Sequence, residues 1–261
     1  MKNKVIWITG ASSGIGEALV YAYDKAGAKL ILSSRNRDEL YRVKSNCKSP
    51  VNIHVLPLDL ENTAALTDKA EEALRIYGHV DILINSGGIS QRSLALETTL
   101  QTEQRLMNIN FWGTVALTKA VLPNMIAKGG GKIVCISSLV GKFGTRFRSS
   151  YSASKHALHG YFDSLRSEVF DKNIQITLIC PGFVKTNVTL NALTATGAPY
   201  GINDHGVETG ITPEECAKQI IKAVNTNKEE VYIGGKEVKA ILFKRFFPLR
   251  FSKYLKTAKV T

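Results

Sequence analysis

The sequence predicts an α/β protein, a single doubly wound Rossmann domain in which a seven-stranded parallel sheet is flanked by helices. Three observations carry this prediction. Short apolar, β-branched runs alternate with segments of helical period almost from end to end; the first run closes in a glycine-rich turn that opens a helix; and no internal repeat or Pro/Ser-rich linker divides the chain. With 261 residues, 44% of them hydrophobic, residues 1–261 suffice for one sizeable core.

The strands fall near residues 4–9, 29–33, 51–56, 81–85, 131–137, 174–180 and 230–233, each nearly continuous in hydrophobicity, as strands covered on both faces are. Helices occupy the gaps. One is expected over 14–26, and one over 62–77, with Asn62 or Thr63 as its cap and Gly78 closing it. Another runs over 149–171 from a Ser149-Ser150 start. Residues 185–211 break the rhythm: rich in Thr, Asn and Gly, they follow a strand's carboxyl end, where open α/β sheets bind ligands. A substrate-binding lid is the expectation, an ordinary surface loop the alternative.

The net charge of +12 is unevenly spread. Residues 236–261 form a basic, aromatic extension in which eight cations face Glu237 alone, and its stretch from Ile241 to Phe251 interleaves aromatics with Lys and Arg. Such a segment suits peripheral contact with a membrane surface, or packing against the core or a partner. No recognition motif accompanies the cations, so nucleic acid is not an expected partner. Lys2 and Lys4 lead straight into a short apolar run unlike a signal peptide, and no apolar stretch is long enough to span a bilayer. Cys47, Cys135, Cys180 and Cys216 show neither a CxxC pair nor a disulfide framework, so a reducing, cytoplasmic compartment is expected. His54, His79, His156, His159 and His205 form no metal-ligand pattern with these cysteines, and no metal is expected.

The turn Thr9-Gly10-Ala11-Ser12-Ser13-Gly14-Ile15-Gly16 lies between a strand and a helix, where backbone must approach a dinucleotide closely. The amides and positive end of the helix would hold the pyrophosphate, with Ser12 and Ser13 adding hydroxyl donors. After the second strand stands Ser33-Ser34-Arg35, where an NAD enzyme usually places an acid; a cation there matches a 2′-phosphate and favours NADP(H) over NAD(H). Asp59, before Leu60, suits either the adenine amino group or a helix cap.

Tyr151 and Lys155 are four apart and share a helix face. A free tyrosine titrates near pH 10, about three units above neutrality, and a neighbouring ammonium and an oxidised nicotinamide both favour phenolate. Tyr151 is thereby the expected proton donor and acceptor. Ser138, beside Ser137 at the end of the fifth strand, is placed to polarise a carbonyl.

With these motifs together, the chain resembles the short-chain dehydrogenase/reductase superfamily over nearly its whole length. Asn85-Ser86-Gly87-Gly88 stands where the family usually has Asn-Asn-Ala-Gly, Asn110-Phe111-Trp112-Gly113 follows, and Ser138 precedes the tyrosine by thirteen residues. Pro181-Gly182 with Thr186 completes the likeness. The resemblance implies that Lys155 also holds the nicotinamide ribose and that Asn110 binds a water relaying protons from Lys155. It further implies that Asn85, Ser86 and Gly87 lie by the cofactor, and that Thr186 and the backbone at Val184 hold the carboxamide beyond Pro181 and Gly182. It suggests a homodimer or homotetramer built partly from the Tyr151 helix. Residues 85–93 and 185–201 resemble the dehydrogenase/reductase member 7 subgroup, associated with hydrophobic carbonyls; its members tend to carry a membrane-anchoring N-terminus, which is not seen here. The expected activity is NADP(H)-dependent interconversion of a carbonyl and an alcohol. The alternatives, a dinucleotide-binding sensor without turnover or a membrane-recruited scaffold, fit the complete set Asn110, Ser138, Tyr151 and Lys155 less well.

Overall fold

Val5–Thr9 forms strand β1 and is buried along its whole length. It lies inside a parallel sheet of order β3-β2-β1-β4-β5-β6-β7, with β2 at Lys29–Ser33, β3 at Ile53–Val55, β4 at Ile82–Asn85, β5 at Gly131–Ile136, β6 at Ile174–Pro181 and β7 at Glu230–Ile233. This computed structural model describes residues 1–202 and 204–258, and of His205 the backbone alone. Asn203 in the expected lid, the His205 side chain, and Lys259, Val260 and Thr261 of the expected extension lie outside the described residues.

Strand order reverses between β1 and β4, so the loops leaving their carboxyl ends diverge and open a crevice. Alternate residues of each strand feed two apolar layers. Ile6 and Ile8 join Leu19, Leu30, Ile84 and Ile220 beneath α1 (Gly14–Lys25), α2 (Arg37–Ser45) and α8 (Pro213–Asn225). Trp7 and Leu83 join Leu117, Ile133, Phe162 and Leu178 beneath α3 (Leu66–Tyr77), α5 (Gly113–Ala127) and α6 (Ser149–Glu168). α4 (Leu100–Met107) runs through a π-helical turn, Asn108–Trp112, directly into α5.

Three boundaries differ from the sequence reading. Residues 51 and 52 belong to a 3-10 turn, Pro50–Asn52, so β3 is short. Another such turn, Thr63–Ala65, precedes α3, and the Asn62 side chain makes no capping bond; Gly78, at φ 79°, closes the helix as expected. α6 stops at Glu168 because the chain must reverse through Asn173, at φ 53°, to enter β6. Among the described residues of 185–211 there is one short helix, α7 (His205–Glu208); Leu193 bridges to Gln91 and to Pro199, and Ile211 bridges to Val184 just before the segment. The extension folds into α9 (Lys239–Phe246) and α10 (Pro248–Thr257), which pack through buried Phe251 on Leu139, Phe143 and Cys180. Among the described residues no helix is long and apolar enough to cross a membrane.

Candidate active site

Gly10, Ser12, Ser13, Gly14, Ile15, Gly16, Ser34, Arg35, Asp59, Leu60, Ser86, Gly87, Pro181, Gly182, Val184 and Thr186 line one cleft of about 640 Å³. Ser138, Tyr151 and Lys155 line the same cleft. The turn's close packing explains its glycines. Gly10 sits at φ 64°, and a Cβ there would lie 2.9 Å from Gly87 Cα; at Gly16 it would lie 2.1 Å from the Gly10 carbonyl oxygen. The N-terminus of α1 has Ser13 as its cap residue, without a side-chain cap bond, so its first amides remain available to an anion. Arg42 braces the turn by donating to the Ser12 carbonyl and pairing with Glu17. Arg35 is exposed at the end of β2 and has no ion-pair partner among the described residues. Asp59 lines the cleft and accepts from the Glu61 amide at 3.0 Å in a local turn, and it caps no helix among the described residues. A dinucleotide fits this cradle: tight glycine backbone, an open helix end and an unpaired cation follow one another along its wall.

At the other end, Lys155 is buried and donates through Nζ to the Ile136 carbonyl at 2.9 Å; Nζ lies 5.8 Å from the Tyr151 ring centroid. Ser138 Oγ accepts from the Val140 amide at 3.3 Å and donates weakly to the Pro181 carbonyl at 3.5 Å, which leaves it oriented at the cleft. Cys135 lies behind, and burial pushes its thiol up to about 12, so it offers no thiolate.

Two expected residues stand behind the cleft wall. Asn85 is buried, and its Nδ2 donates to Thr118 Oγ1 at 3.1 Å, so its side chain points toward α5 and does not line the cofactor cleft; the register of β4 sets this direction. Asn110, also buried, accepts from the Ile89 amide at 2.8 Å and donates to the Ile89 carbonyl and to Ser154 Oγ. It nevertheless adjoins the lysine: a Cβ at Gly88 would lie 3.0 Å from Asn110 Oδ1 and 3.6 Å from Lys155 Nζ. Its position in the π-helical turn is of a kind common at functional sites.

Linear spacing hid two other arrangements. Histidine and cysteine do meet in space: ligand atoms of His159, Cys180 and Glu230 lie within 4.8 Å of one another, because α6, β6 and β7 are adjacent. These groups are already engaged. His159 Nε2 is 3.0 Å from Ser137 Oγ, and its Nδ1 lies 3.1 Å from Glu230 Oε2 without hydrogen-bond alignment, while Glu230 also contacts Lys142 and Tyr232. Gln91 is the second. Fully buried, it accepts from the Ser150 amide at 2.9 Å and the Tyr151 amide at 3.2 Å, and donates to Ser93, Thr98 and Ser149. The helix starts at Ser149 as expected, and Gln91 satisfies its first amides from a distant loop. The only sequence signal was its place in the polar stretch from Asn85 to Ser93.

Comparison with known proteins agrees with this geometry. Residues 4–197 match the short chain dehydrogenase family. A dehydrogenase/reductase SDR family protein 7-like of Anopheles gambiae is 46% identical over 240 residues, covering 90% of this chain and 76% of that protein. The dehydrogenase/reductase SDR family member 7B of Danio rerio is 40% identical over 245 residues, covering 90% and 78%. A short-chain dehydrogenase structure from Streptomyces avermitilis superposes with a TM-score of 0.83 at 27% identity, covering 98% of this chain and 97% of that one. A Burkholderia phymatum family member in complex with NAD has the same fold at 22% identity, with a TM-score of 0.83 over all of this chain and 97% of its own. The glycine cradle, the Ser138, Tyr151 and Lys155 constellation and these matches have one reading: the chain belongs to the short-chain dehydrogenase/reductase family of oxidoreductases and resembles its member 7-like branch.

Proposed function

We propose that the protein interconverts a carbonyl and a primary or secondary alcohol on a hydrophobic small molecule, using NADP(H) in preference to NAD(H). The observation that carries this reading is the convergence of Tyr151, Lys155 and Ser138 on the cleft that also holds the glycine turn and Arg35. When bound, the nicotinamide supplies the hydride for the carbonyl carbon. Tyr151 Oη delivers the proton to the carbonyl oxygen, and Ser138 Oγ donates a hydrogen bond to that oxygen as charge develops. Lys155 holds the ribose and, through a water kept near Asn110, resupplies the proton. Arg35 meets the 2′-phosphate. Residues 185–211 serve as a substrate lid: Val188, Leu193, Pro199 and Val207 give the cleft an apolar wall beside Ile89.

The test is NADPH consumption with hydrophobic ketones, aldehydes and quinones, with Tyr151→Phe expected to lower kcat by about 10²- to 10⁴-fold. NADPH binding with no turnover of any compound would support the sensor reading instead. The four cysteines are unpaired and buried, which supports a reducing, cytoplasmic compartment. A homodimer or homotetramer through α6 is part of the proposal, and sedimentation velocity reads it directly.

A second reading concerns the extension. Leu242, Phe246, Phe247, Leu249 and Tyr254 are exposed alongside Arg245, Arg250 and Lys253, a combination that supports peripheral contact with an anionic membrane surface. Liposome binding should disappear when residues 241–261 are removed, and binding that persists would overturn it.

A further inference from the structure

Asp204, in the segment read above as the lid, is buried to 3% exposure, although nearby Pro199 and Ile202 are exposed. Its carboxylate receives two guanidinium groups. Arg92 grips it side-on, with Nε 3.2 Å from Oδ1 and Nη2 on Oδ2, and Arg148 Nη2 donates to Oδ2 at 2.8 Å. Both arginines are buried as well. A lone carboxylate would not leave water for such a place; paired on both oxygens, it can.

The arginines belong to the machinery that holds Tyr151. Arg148 immediately precedes α6 and stands three residues before the tyrosine. Arg92 follows Gln91, whose side chain receives the Ser150 and Tyr151 amides. The same short segment is stitched to residues 185–211 by backbone, with the Leu193 amide on the Ser90 carbonyl at 2.9 Å and the Arg92 amide on the Leu193 carbonyl at 2.8 Å. Arg92 Nη2 also donates to buried Thr189 Oγ1 at 3.3 Å. One strip, residues 90–93, therefore holds the covering segment on one side and the first turn of α6 on the other.

We infer that Asp204 is a positioning residue for catalysis: docked between Arg92 and Arg148, it latches the lid and fixes the first turn of α6, so that Tyr151 reaches its working position only with the lid shut. The inference rests on the reading of Tyr151 as the proton carrier. Burial, and then the Arg92 cation beside it, pull Arg148 down to about 10, opposed by Asp204 and by Tyr151. It remains charged at neutral pH, and removing the carboxylate leaves two like charges facing each other in a buried site. The shut state is thereby tied to the presence of Asp204 itself, and the open state returns the carboxylate to water.

The experiment is hydrogen exchange on the full chain, with kcat and NADPH affinity measured in parallel. Asp204→Asn is expected to speed exchange both in residues 186–202 and in residues 149–153. It should also lower kcat by about 10- to 100-fold through misplacement of the tyrosine, while NADPH affinity stays unchanged. Thr189→Val, which removes a hydrogen bond without touching charge, should move the same quantities less far and guards against an Asn variant that fails to fold. Faster exchange confined to residues 186–202, with α6 and kcat unaltered in both variants, would overturn the inference. Should the wild-type protein reduce no compound at all, the reading of Tyr151 fails, while the exchange measurements still report whether Asp204 couples the two segments.

Discussion

Gly16 has no room for a side chain, since a Cβ would sit 2.1 Å from a backbone oxygen that cannot swing aside. Gly16→Ala should therefore displace the turn and abolish NADPH binding, as read by cofactor fluorescence, with a lowered melting temperature. Arg35→Ala makes the complementary case at an exposed position. Losing one charge-assisted contact, about 1.5–3 kcal/mol, should weaken NADPH binding by tenfold or more and leave NADH affinity nearly unchanged. Equal losses for both cofactors would remove Arg35 from the 2′-phosphate. Residues of this kind were legible because their chemistry depends on local spacing: Tyr151 and Lys155 one helical turn apart, Gly10 to Gly16 within one turn, Ser138 at a strand end. Asn85 was less so. Its motif was recognisable, but the direction of its side chain depends on the register of β4 and on Thr118, 33 residues along the chain.

The polar start of α6 suggested its position, but not what satisfies its first amides. Gln91 lies 59 and 60 residues before its partners Ser150 and Tyr151, a separation that no periodicity reveals. Gln91→Ala removes an acceptor from buried donors, at about 1–3 kcal/mol each, and should lower the melting temperature and fray the first turn of α6 in hydrogen exchange. An unchanged exchange pattern there would show that the helix is held by other means. The strands were the most legible elements, because burial on both faces leaves an unbroken apolar run. Boundaries such as Pro50–Asn52 and Thr63–Ala65 were not, because 3-10 turns carry no distinct hydrophobic period. Residues 185–211 stand out in the sequence by composition and place, whereas the burial of Asp204 depends on tertiary contacts with Arg92 and Arg148.

For the molecule as a whole, the junction of α6, β7 and the loop after β5 carries a pH signature. Burial pushes the Glu230 carboxyl up, but contacts from His159, Lys142 and Tyr232 outweigh it and bring the group down to about 2. A folded value below the ordinary 4.5 means that its stabilisation is present above that pH and is lost as pH falls toward about 2. Glu230→Gln should therefore melt earlier than wild type at neutral pH, the gap narrowing through the acid range; a gap independent of pH would mean that the carboxylate's charge is immaterial. The extension's cations and aromatics were plain in the sequence, but its folding into two helices with an inward and an outward side was not.

The extension's only acid has a wider consequence. Glu237 Oε1 receives the Phe183 amide at 3.1 Å and the Gly235 amide at 3.0 Å, and the same oxygen lies 2.3 Å from where a Cβ at Gly182 would stand. The loop leaving β6 therefore rests on the root of the terminal hairpin. Together with the packing of Phe251 on Leu139, Phe143 and Cys180, this contact means that a displacement of the hairpin would be felt in the loops after β5 and β6, whose Ser138 and Gly182 line the cleft.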